Sequence, residues 1–588
     1  MASVASNILL SGAVASGAVA SGAAASGARR LGAFVLCAAI LTFSDPLLAA
    51  RNQCGKIYEP ALPGYEFTGG VDRWGERALV LPDGEGRKVS KIYINSLPVF
   101  DTTDPKESNA LYRWINRIHI GTRTHVISDL LLFHEGERVD NQLIQETERL
   151  LRDQKFLADA EIRVVNECGD DVELEVVTRE VWTLTPEVSF KTSGGDNASS
   201  IALGDSNFLG TGKNLKFSFK KDSERDIFFV HYKDTNVFGE HYLLRTHYED
   251  NSDGYHYLAQ FGKPFYAMDV RQSWLVSAEK NARSISFYDY GDTVSSIKED
   301  SQNYSVYYGV SDGLVDGHAE RWLFGVAYND RQFRPDPGEP LPPVVTSDIT
   351  LFYPFIEYQN IEDQYKVGFN INQIQRLEDI YTGESLRSRF GISTEDATRL
   401  VFEGEWRDTF LSRRKQLLQA NVTWSGNWNF DANELEETFV VGRLDYHRGQ
   451  TDNRSLVLSM SGQLLEKPFP HQQLLLGGSN GLRGYDSRYL SGDAALLLSA
   501  EERLFTDWEP FGLFNVGFAA FADVGRTWNR QNLPVAEEDW KFDVGFGLRL
   551  IPSKADKGQV IHIDVAFPVG DSAVGSSPQF IAELKQSL

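Results

Sequence analysis

The sequence predicts a mainly β chain whose C-terminal part closes into an antiparallel transmembrane β-barrel. Three observations predict it. Strand-length segments near the C-terminus carry apolar side chains on one face and charges of both signs on the other. No apolar run reaches the roughly 18 residues that a membrane-spanning helix needs. Aromatic residues make up 12% of the chain, with 36 Phe, 23 Tyr and 11 Trp against 3 Met, which suits strands and interfacial girdles better than a large helical core.

The alternation is clearest over residues 494–567. NVGFAAFADVG (515–525) places Val516, Phe518, Ala520, Ala522 and Val524 on one face, with Phe521, Asp523 and Gly525 opposite. KFDVGFGLRL (541–550) sets Phe542, Val544, Phe546 and Leu548 against Asp543, Gly545, Gly547 and Arg549. QVIHIDVAF (559–567) sets Ile561, Ile563 and Val565 against His562 and Asp564. AALLLSAEERLF (494–505) sets Leu496, Leu498 and Leu504 against Ser499, Glu501 and Arg503. One such strand also fits the half-buried face of a soluble sandwich. Four neighbours with paired charges on the same side favour a hydrocarbon exterior and a polar lumen.

Ahead of these strands lies GGSNGLRGY (477–485), a loop whose glycines permit turns that other residues resist. The LRGY motif, Glu501-x-Arg503, FADVG (521–525), GFGLR (545–549) and IDVAFPV (563–569) follow in order. Together they resemble the C-terminal barrel of the BamA/TamA outer-membrane assembly superfamily, which also contains the two-partner-secretion transporters. The resemblance implies a 16-stranded barrel. Residues 183–588 show about twenty strand-like segments, so some of these are expected as external hairpins or parts of longer strands. The resemblance also implies that Leu482, Arg483, Gly484 and Tyr485 fold back into the lumen. There Arg483 would bond Asp523, with Glu501, Arg503, Gly525, Gly545, Gly547 and Arg549 lining the wall around it. A guanidinium in a barrel needs carboxylate partners, and its planar fork suits them. The alternative, which weighs less, is that Arg483 is a loop arginine in water. Glu502 departs from the family pattern, because it falls on the lipid-facing register. The last segment, FIAELKQSL (580–588), closes in Leu588 rather than an aromatic, which implies a weakly anchored final strand.

The N-terminal part reads differently. Residues 1–50 combine a low-complexity Ala/Gly/Ser extension, Arg29-Arg30, a 13-residue apolar run (31–43) and small residues ending at Ala50. This is the pattern of an export signal. Residues 51–88 read as a Gly- and Pro-rich linker. Residues 89–180 read as a small α+β domain. KIYIN (91–95) is a strand, ALYRWINRIHI (110–120) a helical insertion, VISDLLLF (126–133) and 139–156 helices, and AEIRVV (160–165) with VELEVVT (172–178) a hairpin. In 139–156, Leu143, Thr147, Leu150 and Leu151 share one face and Asp140 can cap the helix. The order β-α-α-β-β resembles a single POTRA domain, the periplasmic module of the same superfamily.

Composition excludes other classes. The net charge of −24 argues against nucleic acid. No His pair has HxH or HExxH spacing and no GxSxG is present, so neither an enzyme, a metal site nor a cofactor is expected. Of the three cysteines, Cys37 lies in the export segment; Cys54 and Cys168 could pair or remain free thiols. The expected function is assembly, insertion or translocation in a Gram-negative outer membrane. The partners would be membrane lipid and periplasmic client polypeptides or assembly factors, met by β-augmentation at the POTRA domain and at a barrel seam. Alternatives that keep the barrel without a client are lipid or surface-structure handling, a passive pore, or a surface antigen.

Overall fold

The computed structural model describes residues 59–67, 84–193, 196–340, 347–374, 376–412, 416–451, 453–468, 472–530, 539–555, 560–570 and 578–585. The expected export segment and Cys54 lie outside them.

The small domain comprises β1 (Lys88–Leu97), α1 (Ala110–Ile118), α2 (Thr124–Ser128), α3 (Asn141–Asp153), β2 (Leu157–Cys168) and β3 (Asp171–Glu180). Its sheet runs β1-β3-β2, with β1 parallel and β2 antiparallel to β3. Asp140 caps α3, its Oδ1 accepting from Gln142 N at 2.9 Å. Asn109 caps α1 in the same way through Tyr112 N at 3.0 Å. The core gathers Val89, Ile127, Ile144, Leu151, Leu157, Ile162, Val172 and Leu174. The inward face of α3 thus passes through Ile144, Thr147 and Leu151, which keeps Thr147 and Leu151 of the expected face but replaces Leu143 and Leu150, both only half-buried, by Ile144. Residues 59–67, within the segment read as a linker, lie on the sheet: Ala61 N donates to the buried Glu175 at 3.1 Å, and Tyr65 donates to Glu161 at 2.8 Å. Cys168 is disulfide-bonded, with its partner outside the described residues.

The barrel begins with β4 (Leu184–Ser193), β5 (Asp196–Asp205), β6 (Asn214–Lys221), β7 (Asp226–Val237), β8 (Tyr242–Asn251) and β9 (Gly254–Lys263). Longer strands follow: β10 (Gln272–Asp289), β11 (Asp292–Val315), β12 (His318–Pro335) and β13 (Ile349–Glu362). A separate hairpin, β14 (Tyr365–Phe369) with β15 (Leu377–Tyr381), interrupts the wall. The wall resumes with β16 (Ser385–Ser393), β17 (Arg399–Ser412), β18 (Gln416–Asn429), β19 (Glu434–Thr451) and β20 (Arg454–Glu466). A second small pair, β21 (Leu474–Leu476) with β22 (Leu490–Gly492), precedes β23 (Ala494–Phe505), β24 (Phe514–Trp528), β25 (Lys541–Pro552), β26 (Val560–Val569) and β27 (Gln579–Lys585). Each wall strand pairs antiparallel with its neighbours, and β27 returns to β4.

Among the described residues the closed sheet holds 20 strands, which corrects the expected 16. Pairing puts 20 strands in the wall, and among the described barrel residues only β14 with β15 and β21 with β22 form separate small sheets. Consecutive wall strands are joined by antiparallel ladder pairing, as in β8–β9, where Asn251 faces Gly254 across a two-residue turn. The figure of 16 came from the resemblance, whereas the alternation of side chains already suggested the higher number.

The outward face is apolar over much of the wall. Phe190 is 71% exposed, Phe546 59% and Phe219 53%, with Ile201, Phe324 and Phe390 similarly placed. Exposed Phe around a closed sheet whose lumen is charged is the signature of a lipid-facing wall.

The small domain sits on the barrel mouth nearest β4. Trp182 N donates to Lys554 O at 2.8 Å, Tyr112 donates to Phe511 O, and Lys554 pairs with Glu107. Other barrel turns add contacts, with Met268 N donating to Glu146 at 2.7 Å and Asn207 to Thr122 at 2.8 Å, and so does the segment from Asp363 through the β14–β15 hairpin. Arg152 of α3 grips Asp379 with Nε at 2.7 Å and Nη2 at 2.9 Å. Arg149 bonds Asp363 at 2.8 Å and lies over the Tyr365 ring at 4.1 Å. Burial alone would lower the Arg152 pKa, but Asp379 and Glu148 hold it above its ordinary value. Replacing both carboxylates, Asp363→Asn with Asp379→Asn, should weaken docking by about 0.5–3 kcal/mol, the usual coupling of contacting residues. The barrel should still resist unfolding without boiling, while protease cleavage near residues 180–184 accelerates. A cleavage rate equal to the parent's would mean that docking rests on other contacts.

Candidate functional site

The site forms where the 467–493 loop returns into the barrel against β23, β24, β25 and β26. Strand alternation aims Glu501 and Arg503, Asp523, Arg549, and Asp564 at one region of the lumen. The ladder sets their levels: Ser499 faces Asp523, Asp523 faces Asp543, and Gly547 faces Asp564.

Arg483 lies at the centre and is 8% exposed. Its Nε donates to Asp523 Oδ2 at 2.7 Å and its Nη2 to Asp523 Oδ1 at 2.9 Å, the bidentate fork that suits a guanidinium. Its Nη1 donates to Glu501 Oε2 at 3.0 Å, and Asp564 lies 3.7 Å away. The guanidinium stacks on Phe521 at 3.3 Å from the ring centre. Around it, Arg503 donates to Glu501 Oε1 at 2.9 Å, and Arg549 donates to Glu501 Oε2 at 3.2 Å and pairs with Asp564. Three guanidinium groups therefore interleave with Glu501, Asp523 and Asp564, all of them buried. Separated charges at this burial would be strongly penalised, so the cluster holds only as a set.

The glycines make the approach possible. A Cβ on Gly484 would meet Asp543 Cβ at 2.6 Å and Pro568 N at 3.0 Å, so the loop backbone lies directly on the wall. Gly545 clears room for the Phe521 ring that carries Arg483, and Gly547 for the Asp564–Arg549 pair. Leu482 is fully buried against Gly525 and packs with Leu474, Leu476, Tyr485 and Leu490. Tyr485 donates to Phe542 O at 3.1 Å. Thus Leu482, Arg483, Gly484, Tyr485, Glu501, Arg503, Asp523, Gly525, Gly545, Gly547 and Arg549 come together in one region. Glu502 faces outward as expected, where Arg454 meets it at 2.8 Å near the domain-side mouth.

The β14–β15 hairpin escaped the sequence reading. It reaches into the mouth beneath the cluster. Arg503 Nη1 donates to Ile371 O at 3.3 Å, and Asn515 donates to Ile374 O at 3.1 Å. Ile374 is fully buried with Phe505, Ile551 and Val560, and Arg376 donates to Pro552 O at 2.8 Å. The signal was short: two strands of five residues each, flanking NINQIQR (370–376), in a region read only as part of the barrel at 183–588.

Arg483→Ala would leave Glu501, Asp523 and Asp564 facing two guanidinium groups instead of three. Removing one partner of a buried pair costs about 3–5 kcal/mol, and lumen water should bring the loss to the lower end or below. The expected result is faster external proteolysis within 467–493 and a lower unfolding temperature. Arg483→Lys should rescue little, because an ammonium cannot reproduce the fork. Unchanged loop protection in both variants would show that the loop is held by its other contacts, among them Leu482, Tyr485 and the Arg488 pairs with Asp196 and Glu224.

No family model matches the chain, and no curated protein matches it. Solved structures do. BamA from Haemophilus ducreyi lacking POTRA domains 1-3 is similar at 11% identity and a TM-score of 0.37, over 85% of this chain and 84% of that one. CdiB from Acinetobacter baumannii is similar at 13% identity and 0.41, over 86% and 74%. CdiB from Escherichia coli is similar at 11% identity and 0.44, over 85% and 76%.

Proposed function

We propose that the chain is a non-enzymatic protein of the BamA/TamA type that inserts or translocates polypeptides at a Gram-negative outer membrane, with its small domain acting as a single periplasmic POTRA module. The observation that carries this reading is the uneven pairing of the wall. Across β27 and β4 the described ladder holds one residue pair, Ala582 with Thr192. The flanking ladders hold seven pairs for β26–β27 and ten for β4–β5. A poorly paired strand edge is a template for an incoming strand. The edge strand β2, paired on one side only among the described residues, offers a second such template in the small domain.

A passive pore fits less well. The 467–493 loop enters the lumen from one end and the β14–β15 hairpin from the other, an arrangement that conduction does not need. Lipid handling and surface binding keep the barrel but give the weak seam no task.

A cysteine pair across the seam tests the proposal. The register places Ala582 opposite Thr192, so Ala582→Cys with Thr192→Cys is the pair to make. The oxidised protein should lose insertion or secretion of client polypeptide and recover it on reduction. Full function with the seam crosslinked would refute opening at this edge.

A further inference from the structure

We propose that the lumen wall formed by β8, β9 and β10 holds a divalent transition-metal site made by His247, Glu249, His256 and Glu279. All four side chains take the inward register. Glu249 faces His256 directly across the β8–β9 ladder, and His247 faces Leu258. Glu279 also faces Leu258, from the β10 side. The two imidazoles and two carboxylates therefore converge from three adjacent strands.

The distances suit a metal. His247 Nε2 lies 3.0 Å from Glu249 Oε2, and His256 Nε2 lies 2.8 Å from Glu279 Oε1. One donor atom each from His247, Glu249 and His256 falls within 4.8 Å of the others. The two rings are 5.1 Å apart between centres. With bonds of about 2.0–2.1 Å, the donors of a tetrahedral zinc site stand about 3.4 Å from one another. Closing the spread of His247, Glu249 and His256, which lies within 4.8 Å, to that spacing needs side-chain rotation, and Glu279, hydrogen-bonded to His256, would follow as the fourth ligand. Binding would exchange two His–carboxylate hydrogen bonds for coordination bonds.

Charge and exposure agree. The four ligands carry two negative charges, which a divalent ion balances. Each side chain is 15–20% exposed, sheltered from bulk water but open to the lumen. Mixed imidazole and carboxylate donors select zinc and its neighbours over calcium or magnesium. His231 on β7 faces His247 with ring centres 5.8 Å apart, yet it stays outside the set. Its neighbours on that face are Lys233 and Arg245, paired across the ladder, and they move the favourable place for a cation toward Glu249 and Glu279. No linear spacing advertised the site, because its ligands come from three strands. Unpaired from one another, these would be ordinary lumen hydrogen bonds; the convergence of two His–Glu pairs makes a ligand set.

The test uses the full chain, folded in detergent and free of any histidine tag. Zn2+ is titrated in competition with a chromogenic chelator, and Co2+ is added as a spectroscopic probe. The parent should bind one Zn2+ per chain and give a visible Co2+ absorption typical of four-coordinate nitrogen and oxygen ligation. Loss of a partner outside the ligand shell costs about 10–100-fold in affinity, so His247→Ala with His256→Ala should lose at least that much. Glu249→Gln, which keeps the side-chain shape, should also weaken binding, and His318→Ala, on a distant strand, should not. Chelator should lower the unfolding temperature of the parent and leave the double variant unmoved. Failure of the parent to bind Zn2+, or equal binding by the double variant and Glu249→Gln, would overturn the proposal.

Discussion

A guanidinium taken from water into a barrel must find carboxylates whose positions are set by strands it does not belong to. Arg483 finds them on β23 and β24, with Asp564 of β26 nearby. That requirement constrains the ladder itself. Side chains alternate with a period of two, so a slip of one residue in β24 would turn Asp523 to lipid and bring Ala522 or Val524 inward. The loop arginine is thus a register pin for the last strands as much as a latch for its own loop. The glycines follow from the same constraint: Gly484 lets the backbone touch the wall, and Gly545 makes room for the aromatic platform beneath the charge.

From this cluster, contacts run without a gap to the small domain. Arg503 shares Glu501 with Arg483 and also holds Ile371 O of the hairpin. The hairpin packs Ile374 into the wall, and Asp379 at its far strand receives Arg152 of α3. Contiguity of this kind is a spatial fact. It becomes signalling only if the hairpin has two arrangements whose balance both ends bias.

Much of this was legible in the sequence. Period-two alternation put Glu501, Arg503, Asp523 and Arg549 on one face of β23, β24 and β25, the face that the structure turns to the lumen. The order of the motifs suggested that Arg483 enters the lumen. Strand count was harder, because pairing, not alternation, separates a wall strand from an external hairpin. The β14–β15 hairpin was invisible for a related reason. Five-residue strands carry too little periodicity to reveal a separate sheet, and the long-range partners of Ile374, Arg376 and Asp379 lie more than a hundred residues away. The α3 face was only half right, Thr147 and Leu151 but not Leu143 and Leu150, because Arg149 and Arg152 serve a docking surface that single-helix amphipathicity does not encode.

The barrel is therefore held unequally around its circumference. β23 to β26 are tied by a shared charge cluster and an inserted loop. β10, β11 and β12 are long, with β11 reaching 24 residues, so their ladders are extensive. Between these stretches lie β27, at 7 residues, and the short strands β4, β5 and β6. Each ladder pair lost removes hydrogen bonds without lowering the cost of keeping its neighbours, so separation concentrates where pairs are fewest. The cluster sharpens this contrast, because pinning β26 leaves β27 as the last strand anchored chiefly by its own ladder. If the wall opens, the physical asymmetry places the opening between β27 and β4, with Arg483 keeping the remaining C-terminal strands in register while it does.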